Sequence, residues 1–389
     1  MGNSLKPQLR FPNFIEEWET KTLEEIASFS KGKGISKADI DDNGTLECIR
    51  YGELYTEYGE IINQIKSKTN LDPNDLVLSE KNDVIIPASG ETKIDIATAS
   101  CVLKDGVALG GDLNIIKSSL DGVFLSYYLN YARKKDIANV AQGISVVHLY
   151  SSQLKKIEVN IPKIEEQQKI TSFLTAIERH LQLLKKKNKA LEKYKKGVMK
   201  KIFEREMRFK DENGNEFSAW KYDFLFKLAD IVKGQQLNKE FLTASGSYPA
   251  QNGGIEPSGY TEDYNTDENT ITISEGGNSC GYVNFMKVKF WCGGHCYSLL
   301  NLKEFILQDY LYQYLKFNQD SLMSLRVGSG LPNIQKNDLS KFTVIIPTVN
   351  EQAKISSFLT DIDTQINLLE IQIDKLKIFK KGLMQQMFV

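Results

Sequence analysis

No apolar run among the 389 residues approaches the roughly 20 needed to cross a bilayer as a helix. The opening stretch MGNSLKPQLRFPNF has no apolar core of the secretory kind and matches a myristoylation signal poorly. Cysteine is scarce, five in all at scattered spacing, which argues against a disulfide framework and for a reducing cytoplasm. The three histidines, His148, His180 and His295, fall into no Ser/His/Asp arrangement. GKG at 32–34 is too short for a phosphate loop, and neither G-x-x-x-x-G-K-[ST] nor a strand-linked G-x-G-x-x-G occurs. The Asn-Pro-Pro-Tyr or Asp-Pro-Pro-Tyr motif that amino-methyltransferases use on a flipped base is missing too. A chain without these motifs is expected to recognise rather than to catalyse.

Charge of one sign is also lacking overall, since the net value is −1. Its distribution is uneven. Residues 161–210 hold 15 Lys/Arg against 6 Asp/Glu, while 1–160 and 211–345 each come to −5 and 346–389 to zero. Composition therefore does not by itself point to nucleic acid; any such partner needs a local basic face.

What the sequence does contain is a repeat. Residues 161–203 align without a gap on 346–388, with 19 of 43 positions identical. Both copies start Ile-Pro (Ile161-Pro162, Ile346-Pro347) and end Lys-Lys-Gly-x-Met followed by Phe (Lys195 to Phe203, Lys380 to Phe388). Fainter matches lie upstream: Arg10-Phe11 and Arg208-Phe209, then Trp18 and Trp220, then Lys31-Gly32 and Lys233-Gly234. VALGGDLNII (107–116) resembles FWCGGHCYSL (290–299), and VIIPASGE (84–91) loosely resembles TITISEGG (270–277). The chain is two units in tandem, each a variable segment followed by a shared one.

The shared segment carries a heptad seam. Its apolar positions are Ile170, Leu174, Ile177, Leu181, Leu184 and Leu191 in the first copy, with gaps at Asn188 and Lys195. In the second they are Ile355, Leu359, Ile362, Ile366, Leu369, Ile373 and Leu376. Pro162 and Pro347 fix the chain before each helix, and Thr348 with Glu351 is placed for a capping box. Each helix is expected to run about 40 residues, about 60 Å. A single apolar stripe has to be buried, and two matching stripes most simply bury each other. In this register Asn188 faces the position of Ile373, and one polar seam residue is a device for fixing register. The expectation is an antiparallel intramolecular coiled coil.

The variable segments read as α+β domains. Residues 70–117 hold short β-rich runs, and 121–140 read as a helix. The second segment has strands near 270–275, 280–292 and 295–302 and a helix at 304–317. Glycine loops at 142–150 and 327–335 close them. The fold class expected is α+β: two α/β domains joined by two long helices, with an internal pseudo-two-fold duplication. The boundaries read as 1–160, 161–207, 208–345 and 346–389.

Two clusters offer sharper chemistries. Cys280, Cys292, His295 and Cys296 are ligand types for zinc, but the matching turn at Gly110-Gly111 carries Leu109, Asp112 and Leu113, so it forms without ligands. Asp83, Glu91 and Lys93 match the loose spacing of Mg²⁺-dependent nucleases, a pattern that arises often by chance. No bound metal is expected.

Glu166-Gln167 with Ile170 and Leu174, repeated as Glu351-Gln352 with Ile355 and Leu359, together with the basic Lys-Lys-Gly-x-Met tails, resembles the specificity subunit of type I restriction-modification enzymes. The Arg-Phe…Trp starts, Arg50-Tyr51-Gly52-Glu53, Tyr260, Gly276-Gly277 and Gly281-Tyr282 also fit. The resemblance covers essentially the whole chain. It implies a non-catalytic recognition subunit with two target-recognition domains, each reading one half of a split sequence in double-stranded DNA. The helices would set the spacer and dock two modification subunits, which use S-adenosylmethionine to methylate adenine. Two restriction subunits, dependent on ATP and Mg²⁺, would join later in a defence role. Half-sites read from one face of the duplex lie about one turn, roughly 34 Å, apart.

Polar residues in glycine-containing loops are the candidates for DNA contact: Lys31, Lys33, Arg50, Tyr51, Lys93, Ser145 and His148 in the first domain. In the second they are Lys233, Gln235, Gln236, Asn252, Asn278, Arg326, Ser329, Asn333 and Gln335. Arginine suits guanine and Asn or Gln suits adenine in the major groove. The matched Lys31 and Lys233 are expected on phosphates. The competing readings are a Mg²⁺-dependent nuclease and a coiled-coil scaffold with two protein-binding domains.

Overall fold

The computed structural model describes residues 6–328 and 330–389. The chain forms two compact units: residues up to Leu184 with Gln372–Val389, and Lys185–Ile371. Each contains one variable segment, the start of the shared helix that follows it, and the end of the other shared helix.

In the first unit the central sheet has five strands in the order Ala27–Lys31, Leu113–Ser118, Val84–Pro87, Ser100–Val102 and Ile61–Ile62. All neighbours are antiparallel except the last pair. The apolar run at 84–87 is buried on both faces, which is why it does not alternate. A smaller sheet sets Leu46–Ile49 between Ser67–Thr69 and Ala108–Leu109. Asp121 caps the helix Gly122–Tyr131 by accepting from the Phe124 amide at 2.9 Å.

The second unit repeats the plan with four antiparallel strands, Asp230–Lys233, Cys296–Leu300, Thr270–Ser274 and Val283–Met286. Tyr248–Gln251 lies between Tyr260–Thr261 and Trp291–Cys292, and the helix Gln308–Phe317 follows. Ladder register refines one of the matches read from sequence. Ile85 pairs with Ile115 and Thr272 with Ser298, so Val84 corresponds to Ile271 and not to Thr270.

Several expected elements are shorter. The single helix over 121–140 is two, Gly122–Tyr131 and Lys134–Val140. The 304–317 helix begins at Gln308. Of the run Leu76–Ser79 only Leu78 bridges, to Ala108.

The two shared helices are Ile164–Phe203 and Val349–Met387. In the first unit Ile170, Leu174 and Ile177 pack with Leu383, Met384, Met387 and Phe388. In the second, Val198, Met199, Ile202 and Phe203 pack with Ile355, Leu359 and Ile362. The start of one helix meets the end of the other in each case, so the pairing is antiparallel. Each aromatic tail also fills a domain: Phe388 lies 5.9 Å from the rings of Phe124 and Tyr128, and Phe203 lies 5.4 Å from Tyr314.

The seam departs from a simple apolar stripe. Leu184, Leu191, Ile366 and Leu376 are only half-buried. Asn188 donates to Glu192 of its own helix at 3.0 Å. The gap at Lys195 is an ion pair to Asp363, 2.6 Å. The matching Lys380 reaches Glu178 at 2.9 Å and Glu60 at 3.1 Å. Burial pulls the Lys380 pKa down, but the two carboxylates outweigh it and leave it raised. The antiparallel register is thus marked by two symmetry-matched charge pairs.

The repeated Glu-Gln acts as a clamp. Glu166 accepts a fork from Arg10, both bonds 2.7 Å. Glu351 accepts the same from Arg208 (3.1 and 2.8 Å) and a third bond from Trp220 Nε1 at 2.7 Å. The expected capping box is therefore half made: the Glu351 amide donates to Thr348 Oγ1 at 3.3 Å, but its carboxylate is engaged elsewhere. Gln167 donates to the Pro162 carbonyl and accepts from the Asp121 amide. Gln352 donates to the Pro347 carbonyl and accepts from the Leu307 amide. Each Gln ties the start of a shared helix to the start of a domain helix.

Candidate nucleic-acid interface

In both units the strand ending in Lys-Gly crosses a Gly-Gly turn. The Gly32 amide donates to Leu113 and the Lys33 amide to Leu109; Gly234 and Gln235 donate to Cys296 and Cys292 in the same pattern, all at 2.8–3.0 Å. A Cβ on Gly32 would sit 2.0 Å from the Gly110 carbonyl, and one on Gly234 would sit 2.3 Å from that of Gly293. Glycine is required there because the backbones touch.

Two hairpin loops share a second frame. Gln142 bridges His148, and Val327 bridges Asn333. Gly143 (φ +116°) and Gly328 (φ +99°) take left-handed conformations at the same step.

These frames gather most of the candidate residues. In the first unit Ser145 lies exposed in the 142–148 loop. His148 stacks on Tyr150, whose ring centre is 5.9 Å from Lys31 Nζ. Pairing of Ser89–Gly90 with Val147–His148 brings that loop beside the short helix begun by Lys93. Arg50 and Tyr51 line an open cleft of about 550 Å³ with Gly34, Lys37, Gly110 and Gly111. Lys33 is exposed beside it.

In the second unit the buried Glu275 organises the surface. It accepts from Lys233 at 2.6 Å and from Tyr297 at 3.0 Å, and lies 3.8 Å from His295 Nδ1. The Gln235 carbonyl accepts from Trp291 Nε1, 2.9 Å. Asn333 bridges Gly276, and Gln335 donates to Asn333 Oδ1 at 2.9 Å. Gln236, Asn278 and Arg326 are exposed and Asn252 is half-buried. Ser329 lies outside the described residues. Sequence reasoning missed Glu275, Trp291, Tyr150 and Lys37; Tyr150 could have been found from its place two residues after His148.

The two sharper chemistries dissolve into the packing. Asp83 is buried, its pKa raised by burial, and it accepts from the Glu80 amide at 2.9 Å. The strand Val84–Pro87 separates it from Glu91 and Lys93, so the three do not converge. Cys280 donates to the Glu275 carbonyl and Cys292 to that of Cys296, while His295 is turned to solvent. Among the described residues no group of three or more His, Cys, Asp or Glu side chains is placed to hold a metal ion. Among the same residues no helix is long and apolar enough to cross a membrane.

The family model described as the type I restriction modification DNA specificity domain matches residues 15–193 and again 218–377. The chain belongs to that family. Its two matches fall on the two repeats. A putative type I specificity subunit of Mycoplasma pneumoniae is 34% identical over 157 residues, 40% of this chain and 42% of that protein. A second, from Mycoplasma genitalium, is 35% identical over 154 residues, 39% of each chain. The chain thus spans about two fifths of the length of these Mycoplasma relatives. A putative specificity subunit from Methanocaldococcus jannaschii is 26% identical over 291 residues, 69% of this chain and 67% of that one. The crystal structure of the S subunit of the M. genitalium type I system superposes with a TM-score of 0.73 over 99% of both chains at 19% identity, which establishes the shared fold.

Proposed function

We propose that this chain is the DNA sequence-specificity subunit of a type I restriction-modification complex. The domains at 1–160 and 208–345 each read one half of a bipartite site in double-stranded DNA. The shared helices, 161–207 and 346–389, set the distance between the halves and dock two modification subunits. Methyl transfer from S-adenosylmethionine to adenine belongs to those subunits, and cleavage with ATP and Mg²⁺ to two restriction subunits. The chain works in the cytoplasm, with the DNA, and binds no cofactor itself.

The observation that carries this reading is one backbone frame built twice with different polar side chains on it. The clamps, the crossing at Gly32 and Gly234 and the loop hinges at Gly143 and Gly328 are held in common. The side chains they present are not: Arg50, Ser145 and His148 in one unit, Gln235, Gln236, Asn252 and Asn333 in the other. A common scaffold with divergent donors and acceptors is what two different half-sites require. Lys31, exposed, suits a phosphate; its match Lys233 is exposed as well but is paired with Glu275 at 2.6 Å. The lysines between 185 and 201, Lys195 apart, are also exposed and offer a second basic face to DNA or to a modification subunit.

Replacing residues 211–345 with the corresponding segment of another specificity subunit tests the division of labour. Methylation by the assembled complex should change in one half of its target only. A change in both halves would contradict it.

A further inference from the structure

The two frames can be matched residue by residue. Leu46–Ile49 runs parallel to Ala108–Leu109, and Tyr248–Gln251 runs parallel to Trp291–Cys292. The Gly110 amide donates to the Ile49 carbonyl and the Gly293 amide to the Gln251 carbonyl, both at 2.9 Å. The next residue is therefore equivalent in the two units: Arg50 in the first, Asn252 in the second.

Each of these side chains sits against the Gly-Gly turn. A Cβ on Gly110 would approach Arg50 Cα to 3.5 Å, and one on Gly293 would meet Asn252 Oδ1 at 2.3 Å. Glycine at 293 keeps the space that the Asn252 carboxamide occupies, whereas Gly110 lies at ordinary contact distance from Arg50. Arg50 is aimed by a buried carboxylate: Glu53 accepts from the Arg50 amide at 2.9 Å and from Ser67 Oγ, and lies 3.7 Å from Arg50 Nη2. Arg50 Nε is buried and has no partner among the described residues, and Arg50 lines the open cleft. Among the described residues, Asn252 Oδ1 has only a long contact, 3.4 Å, from the His295 amide.

A guanidinium held beside a carboxylate at an open cleft matches the O6/N7 edge of guanine; a carboxamide matches the N6/N7 edge of adenine. We infer that this position is a base-reading position in both units, taking guanine through Arg50 in one half-site and adenine through Asn252 in the other. The inference rests on the DNA-recognition reading above and adds to it which residue reads which base.

The test uses the full chain assembled with its modification subunit and the methylation motif read by sequencing. Arg50→Asn should remove the guanine requirement at one position of one half-site, a loss of discrimination of about 5- to 150-fold, the equivalent of the 1–3 kcal/mol of a bidentate contact. Asn252→Arg should abolish the adenine preference at one position of the other half. Arg50→Lys, which keeps charge and stem but not the fork, should retain a weaker preference for guanine and covers the case of a poorly folded Asn variant. An unchanged motif in these variants would overturn the inference. So would uniform weakening at all positions, the signature of a phosphate contact, or changes at several positions of a half-site. If the unaltered complex yields no split motif, the functional reading itself fails; if it does and the variants keep it, only this inference falls.

Discussion

Glu351 and Glu166 occupy equivalent places but do unequal amounts of work, and the difference can be measured. Both clamp an arginine, yet only Glu351 also accepts from a tryptophan, Trp220. Trp18, the counterpart in the first unit, has no partner for Nε1 among the described residues. Removing either carboxylate leaves an arginine without its counter-ion, a loss of about 3–5 kcal/mol for a buried pair, toward the lower end here because Arg208 is about a quarter exposed. The tryptophan bond is charge-assisted and contributes about 1.5–3 kcal/mol more in the second unit. A double-mutant cycle of Glu351→Ala with Trp220→Phe should therefore give a coupling of about 1.5–3 kcal/mol. The matching cycle of Glu166→Ala with Trp18→Phe should give a value near zero. Native-state hydrogen exchange reads each locally, through the amides of Thr343–Ile346 for one unit and Glu158–Ile161 for the other. Equal couplings in the two units, or one below about 0.5 kcal/mol at Trp220, would refute the assignment.

Two further outcomes follow from the same packing. Gly234→Ala and Gly32→Ala force a Cβ onto backbone oxygens and should each destabilise their unit by about 1–3 kcal/mol, seen as faster exchange in the adjacent strands; unchanged protection would show that the crossing can relax. Lys316 donates to the Val283 carbonyl and Gln319 and lies 3.7 Å from the centre of the Tyr282 ring. Burial, aided by Lys195 and opposed by Asp363, lowers its pKa to about 8. The unfolded chain then holds the proton more tightly, so the second unit should gain stability as pH rises from about 8 toward 10. Lys316→Met should flatten that rise in urea-unfolding midpoints; an unaltered slope would contradict the assignment.

The long helices, their antiparallel pairing and the duplication were legible because heptad spacing and a gapless repeat are local patterns. The meaning of the gaps was not. Lys195 reads as a break in a seam until Asp363, 168 residues away, is set against it. The Glu-Gln motif was legible as a signature but not as a clamp, since its partners Arg10, Asp121, Arg208 and Leu307 lie far off in sequence. The candidate surface was legible only as polar residues in glycine loops. Glu275, which orders the second unit's surface, stands in an unremarkable stretch, and the equivalence of Arg50 and Asn252 depends on ladder register.

The central claim is that one chain with two unlike readers directs methylation to a split target. Sequencing of adenine methylation in DNA from a host carrying this chain with its modification subunit tests that claim most directly. The account predicts a single motif of two specified halves separated by a fixed run of unspecified bases. A continuous motif, or no methylation with a modification subunit known to be active, would contradict it.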